Sequence, residues 1–243
     1  MDKPGQPGRK ILSGLLFFGA ALVCGYHAPA QEAKRDGEIR GRITIARSDA
    51  DAQKPPILDR YSTHRPALTG SDHAVASQPA YKLSEKAVIY LESEAMKAQI
   101  FVPPSAHPVL DQKDLMFHPQ VLPILAGTTV DFPNRDNLFH NVFSYSQPKE
   151  FDLGRYPTGS QKSVRFDKPG VVRVYCDIHS HMNATILVLE NPYFVVPDDQ
   201  GSFSIENVPR GTYTVRFWCG RELAESRNVT VKGGDVVEVN FTY

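Results

Sequence analysis

Cysteine and tryptophan are scarce, with three cysteines and one tryptophan in 243 residues. Cys24 lies in an N-terminal apolar stretch, so an exported chain that loses this stretch keeps only Cys176 and Cys219. One disulfide is then the most that an oxidising compartment could make of them. Net charge is also missing. Lysine plus arginine and aspartate plus glutamate each total 27, so no one-signed field selects nucleic acid or an anionic lipid surface. Sustained helical periodicity is absent as well. Only Glu92 to Gln99 leaves room for a short helix, with a charged turn as its rival. What the chain has instead is nineteen prolines, seventeen glycines and many short Val/Ile/Phe/Tyr runs, the pattern of an all-β protein.

The N-terminus reads as a targeting segment. Lys3, Arg9 and Lys10 form a basic region, Ile11 to Val23 is an apolar run, and Ala28-Pro-Ala30 fits the small-x-small cleavage pattern. The run is too short for a convincing membrane span. Residues 1–30 are therefore expected to be a signal peptide cleaved after Ala30, giving a periplasmic or secreted protein with no transmembrane span in the mature chain. Two rivals stay open. Acylation at Cys24 would make a lipoprotein, although Val23 stands where a small residue is wanted, and the apolar run could persist as an uncleaved anchor.

Downstream, Glu38 to Ile45 alternates as a strand and Ala87-Val-Ile-Tyr-Leu91 forms another. Between them, residues 48–84 carry many prolines and polar residues without a sustained period, so they read as a long functional or disordered loop. His64 and His73, inside this loop, have no ligand-like spacing around them. Ile100-Phe-Val102 is a candidate strand, followed by Phe117 to Leu125 and Gly127 to Phe132. His118 precedes a proline at a strand start and reads as structural or exposed. Asn141 to Ser146 and Ser163 to Phe166 are strands, with Gln147 to Ser160 expected as a turn-rich excursion between them.

Chemistry concentrates after the next strand. In Val171-Val-Arg-Val-Tyr-Cys176, Val172, Val174 and Cys176 face one way and Val171, Arg173 and Tyr175 the other. His179 and Met182 follow at once, giving Cys-x2-His-x2-Met, and Ile186-Leu-Val-Leu189 starts another strand. A thiolate, an imidazole and a weak thioether are a ligand set that suits copper, given one more histidine. His140 is available upstream. The bland rival is a disulfide from Cys176 to Cys219, but a disulfide requires neither His179, nor Met182, nor His140-Asn141. Cys219, beside Trp218, otherwise reads as a buried thiol packed as a small hydrophobe.

On these residues the stretch from about Met116 to Glu190 resembles the cupredoxins, the blue-copper family of plastocyanin and amicyanin. Its Cys-x2-His-x2-Met loop has amicyanin-type spacing, and His140 follows an Asn134-Arg-Asp136 turn as the first histidine does there. The resemblance implies a Greek-key β-sandwich holding one type 1 copper ion on His140, Cys176, His179 and Met182. Asn141 would brace the two ligand loops from behind them. His181 remains a possible substitute for His179.

The tail has another character. Gly201 to Phe217 alternates cleanly, with Val-Pro-x-Gly-x-Tyr at a hairpin joint. It resembles the closing half of a transthyretin-type, carboxypeptidase regulatory-like β-sandwich, whose opening strands Gly41-Arg-Ile43 and Ala87 to Leu91 would supply. The resemblance implies a discontinuous domain, 38–96 plus 191–243, with the cupredoxin inserted as 97–190. Insertion at an exposed loop tip is physically reasonable. The pairing is similar to proteins often labelled methylamine utilisation proteins.

The function so implied is one-electron transfer to a redox partner such as a cytochrome, dehydrogenase or oxidase, without turnover of a substrate. A copper-handling protein is the alternative, kept open by the extra His181, and a β-sandwich binding module without redox role is the third. An enzyme of the multicopper kind would need a second, histidine-rich centre, and no His-x-His pair elsewhere could build one.

Overall fold

The computed structural model describes residues 36–46 and 82–243. The expected signal peptide, Cys24, His64 and His73 lie outside the described residues. Strand β1 (Gly37–Thr44) is followed, from residue 82 on, by the single-turn helix α1 (Leu83–Lys86), β2 (Ala87–Glu92) and another single turn, α2 (Glu94–Lys97). Then come β3 (Asp111–Lys113), β4 (Met116–His118), β5 (Val121–Leu125), β6 (Thr128–Pro133), β7 (His140–Ser146), β8 (Lys149–Tyr156), β9 (Gln161–Phe166), β10 (Gly170–Tyr175) and β11 (Asn183–Leu189). The closing strands are β12 (Phe194–Val195), β13 (Ser202–Val208), β14 (Gly211–Cys219), β15 (Glu222–Val231), β16 (Val236–Glu238) and β17 (Phe241–Thr242).

These strands close two cores. In the first, a sheet in the order β5-β11-β10-β7-β8 and the pairs β3-β4 and β6-β9 enclose Phe117, Phe132, Phe166, Val172, Val174 and Ile186. Alternation explains which side chains go in. On β10, Val172 and Val174 are fully buried, and just past its end Cys176 is 4% exposed, on the face expected from the sequence. The second core lies between the sheet β13-β1-β16, joined by β17, and the sheet β12-β2-β14-β15. Ile39, Ile89, Val215, Phe217 and Phe241 fill it. Strands from both ends of the chain therefore share this core, and β3 to β11 build the other.

Val88, Val121, Leu187 and Trp218 form a smaller cluster joining the two. This junction accounts for the unbroken apolar run in β11. Ile186 and Val188 pack into the first core while Leu187 packs against Trp218, so both faces of the strand are buried. The Arg173 guanidinium stacks 5.6 Å from the Trp218 ring centre. Gly220, at φ +61°, turns β14 into β15 and delivers Arg221, whose Nη2 donates to the Tyr175 hydroxyl at 3.4 Å.

Three expectations fail, the first because the helical turn α1 lies outside residues 92–99. Residues 149–156 are a strand rather than part of a turn-rich excursion: β8 pairs antiparallel with β7 from Ser146↔Lys149 to His140↔Tyr156. Its Phe151 and Leu153 pack on the first core, an alternation that the flanking prolines and glycines obscured. Conversely, Ile100-Phe-Val102 is no strand. Ile100 is 96% and Val102 87% exposed, in a connecting segment with no sheet to join.

Candidate metal centre

Two segments bring the donors together. The first is the turn before β7. Asn134 is buried, its side-chain amide donates to the Leu138 and Tyr156 carbonyls (2.8 and 3.1 Å), and its Oδ1 accepts the Asp136 N–H (3.1 Å). This Asx turn delivers His140 as the first residue of β7, fully buried. The second is the loop between β10 and β11, strands paired through Tyr175↔Asn183. The N–H of Cys176 donates to the Met182 carbonyl (3.3 Å), and the N–H of Met182 to the His179 carbonyl (3.0 Å). The loop is thus closed by its own backbone before any ligand is considered.

Three donor atoms converge. Cys176 Sγ lies 3.8 Å from His140 Nδ1 and 3.9 Å from His179 Nδ1, and the two Nδ1 atoms are 3.1 Å apart. Among the described residues this is the group of histidine, cysteine and acidic side chains that could hold a metal. A point in the plane of that triangle, equidistant from its corners, lies about 2.1 Å from each, the length of an ordinary imidazole bond to a first-row divalent metal and about 0.2 Å below that of a thiolate. The residues present therefore fit a small metal ion. A trigonal arrangement of two imidazoles and one thiolate is the donor set of copper electron-transfer sites.

The far side of His140 sets its tautomer. Its Nε2 is 2.8 Å from Asp136 Oδ2, so the proton sits on Nε2 and the Nδ1 lone pair faces the sulfur. Burial pushes the Asp136 carboxyl up, but the Leu115 N–H, the His140 ring and the Asp114 N–H outweigh it and hold the acid below its ordinary value. Burial, with the charges of His140 and His181, lowers the His179 imidazole, which favours its neutral, metal-binding form. Asn141, 2% exposed, accepts the Asp177 N–H on its Oδ1 at 2.7 Å and so ties β7 to the residue after Cys176.

The other named residues sit as follows. Met182 is 1% exposed in the same core as Cys176. His181 is exposed, its ring centre 6.4 Å from that of His179, outside the triangle. Cys176 and Cys219 are both buried and form no disulfide, because one closes the first core and the other lies in the second. His118 has Nδ1 3.5 Å from Glu85 Oε2, away from the donor group. Asp136 as the partner of His140 was not foreseen from the sequence; the only signal was its place in the turn, four residues before the histidine.

A His-Cys-His triangle with two buried corners and one half-buried, at the end of a β-sandwich, defines a class of protein, one that holds a soft metal between two loops. Residues 106–189 match the copper binding proteins of the plastocyanin/azurin family. This part of the chain is a cupredoxin domain, and the protein is a copper protein. No curated protein matches the chain. Similar solved structures include a copper-containing nitrite reductase from Thermus scotoductus SA-01, at 26% identity and TM-score 0.34 over 41% of this chain and 27% of that one. A purple cupredoxin from Nitrosopumilus maritimus is 25% identical, at TM-score 0.30 over 35% of this chain and all of that one. The Cu(I) form of an amicyanin mutant is 20% identical, at TM-score 0.33 over 43% of this chain and 99% of that one. At such TM-scores the assignment rests on the family match and on the site.

Proposed function

We propose that the protein is an exported type 1 copper protein that carries one electron at a time, and that His140, Cys176, His179 and Met182 would hold the copper, Met182 through its weakly donating thioether. The observation that carries this reading is the donor triangle, closed by hydrogen bonds of the protein itself. Copper, when bound, supplies a one-electron couple. The chain's own contribution is constraint. Asn141 and the backbone bonds across 176–182 hold the donors in one arrangement, so that little has to move when the charge at the site changes. Burial of Cys176 and His140 keeps water off the sulfur.

Partner access would run through the half-buried His179. Leu138, Phe139 and Ile178, 50, 58 and 37% exposed, sit in the two donor loops and offer an apolar rim for a redox protein. The partner would be a cytochrome, dehydrogenase or oxidase, and no reaction on a small substrate is proposed. The basic, apolar and small-residue pattern of residues 1–30 in the sequence supports export to the periplasm or beyond. We assign the second core to a transthyretin-like, carboxypeptidase regulatory-like sandwich that serves as scaffold.

A second reading, copper handling, is favoured by one observation, the exposed His181 beside the site. Redox cycling under a chelator separates the two. An electron carrier bleaches with one equivalent of reductant, recovers on oxidation and keeps its metal. Rapid loss of copper to a mild chelator in either state contradicts the carrier reading and supports handling.

A further inference from the structure

We propose that Asp136 is a positioning residue for His140, whose side chain, bonded to the far side of the imidazole, lowers the reduction potential of bound copper. The proposal rests on the reading of His140 as a ligand and goes beyond it, since it assigns control of the potential to a residue that does not touch the metal.

The carboxylate is fixed from several directions. Its Oδ2 meets His140 Nε2 at 2.8 Å and also accepts the Leu115 N–H at 2.9 Å, while Oδ1 accepts the Asp114 N–H at 2.6 Å. Asp114 and Leu115 are the two turn residues of the β3-β4 hairpin, both at positive φ, +56° and +58°. That conformation aims both N–H groups at one acceptor. The main chain of Asp136 is held as well, its N–H by Asn134 Oδ1 and its carbonyl by the Thr158 hydroxyl at 2.6 Å. A second strut joins the same segments, from the Arg135 N–H to the Gln112 carbonyl at 2.9 Å.

A hairpin turn therefore holds the acid, and the acid holds the histidine. His140 is fully buried and the Asp136 side chain is 12% exposed, so water screens their interaction poorly. An imidazole whose distal N–H is given to a carboxylate is a stronger donor than one bonded to a neutral acceptor. Stronger donation favours the more highly charged metal, Cu(II) over Cu(I). Two bonded N–H groups of the hairpin draw charge from the same oxygens, so the turn is a second lever on the site.

Two variants separate charge from shape. Asp136→Asn keeps an oxygen that can accept from His140 Nε2 but removes the charge; Asp136→Ala removes both. In D136N, Cu(II) affinity is expected to fall about tenfold more than Cu(I) affinity, a rise of about 59 mV for a one-electron couple. In D136A the rise is at least as large. The metal-free protein supplies a readout independent of copper: the His140 Nε2–H proton should be protected and visible by NMR in wild type and lost in D136A. A purely structural role would lower the melting temperature of both variants and leave the potential where it was, which overturns the charge assignment. An Nε2–H signal unchanged in D136A overturns the positioning role. A wild-type protein without thiolate-to-copper absorption would sink the type 1 reading itself, while the NMR comparison still decides whether Asp136 positions His140.

Discussion

Asn141 shows how much of the centre depends on single side chains. Its amide spans β7 and the residue after Cys176 with one bond, so Asn141→Ala leaves the Asp177 N–H without its partner. Loss of that bond should cost about 1 kcal/mol of apo stability. Copper affinity should fall by about tenfold or more, read by competition titration, because a strut of the ligand loops is gone. At this scale the sequence was informative where spacing decides. Cys176, His179 and Met182 share one loop, and strand alternation placed the sulfur inward. Choosing between His179 and His181 needed three dimensions. Only the fold shows that His179 Nδ1 comes within 3.1 Å of His140 Nδ1, while His181 stays outside. Asp136 was illegible for the same reason: spacing tells which residues share a turn, not which oxygen faces a ring.

Among the elements, β6 and β9 form the pair that backs the first core, and their edge carries a polar cluster. Asp131 accepts from the Ser163 hydroxyl at 2.6 Å and pairs with His107 Nδ1 at 2.9 Å. Burial raises the Asp131 carboxyl, but the bonds from Ser163 and His107 outweigh it and leave the acid below its ordinary 3.8. A folded-state value below the unfolded one stabilises the fold at every pH above the unfolded value. That contribution disappears as pH falls from about 4 through the folded value. Thermal melts from neutral to acid pH should show this loss in wild type, and Asp131→Asn should flatten that part of the profile. Elements themselves were readable where alternation was clean, as in β10, β13 and β14. β8 was hidden among prolines and glycines because an edge strand tolerates both. Ile100 to Val102 misled because a short apolar triplet has no period to test.

At the scale of the whole molecule, the two cores meet at Trp218, 7% exposed, with Val88, Val121 and Leu187 around it and Arg173 stacked on its ring. Arg173 also donates from Nη2 to the Arg221 carbonyl, so the strand that leads into Cys176 is bonded to the β14-β15 turn. Trp218→Ala should cost about 3 kcal/mol by calorimetry, since it empties a large buried volume. The visible spectrum of the copper-loaded variant should be unchanged, because none of the donors belongs to the junction cluster. Two segments far apart in sequence share the second core. The packing of one sandwich on the other was not visible in the sequence, because apolar residues on the outer face of β11 look, in a sequence, like those of any buried strand.

A copper–sulfur bond at Cys176 is the central feature of the proposed centre. X-ray absorption at the copper edge of the loaded protein, compared with Cys176→Ser, tests it most directly. One sulfur and two imidazole nitrogens at about 2.0–2.3 Å, with the sulfur lost in the variant, is the expected result. A first shell of nitrogen and oxygen alone, the same in both proteins, would contradict it.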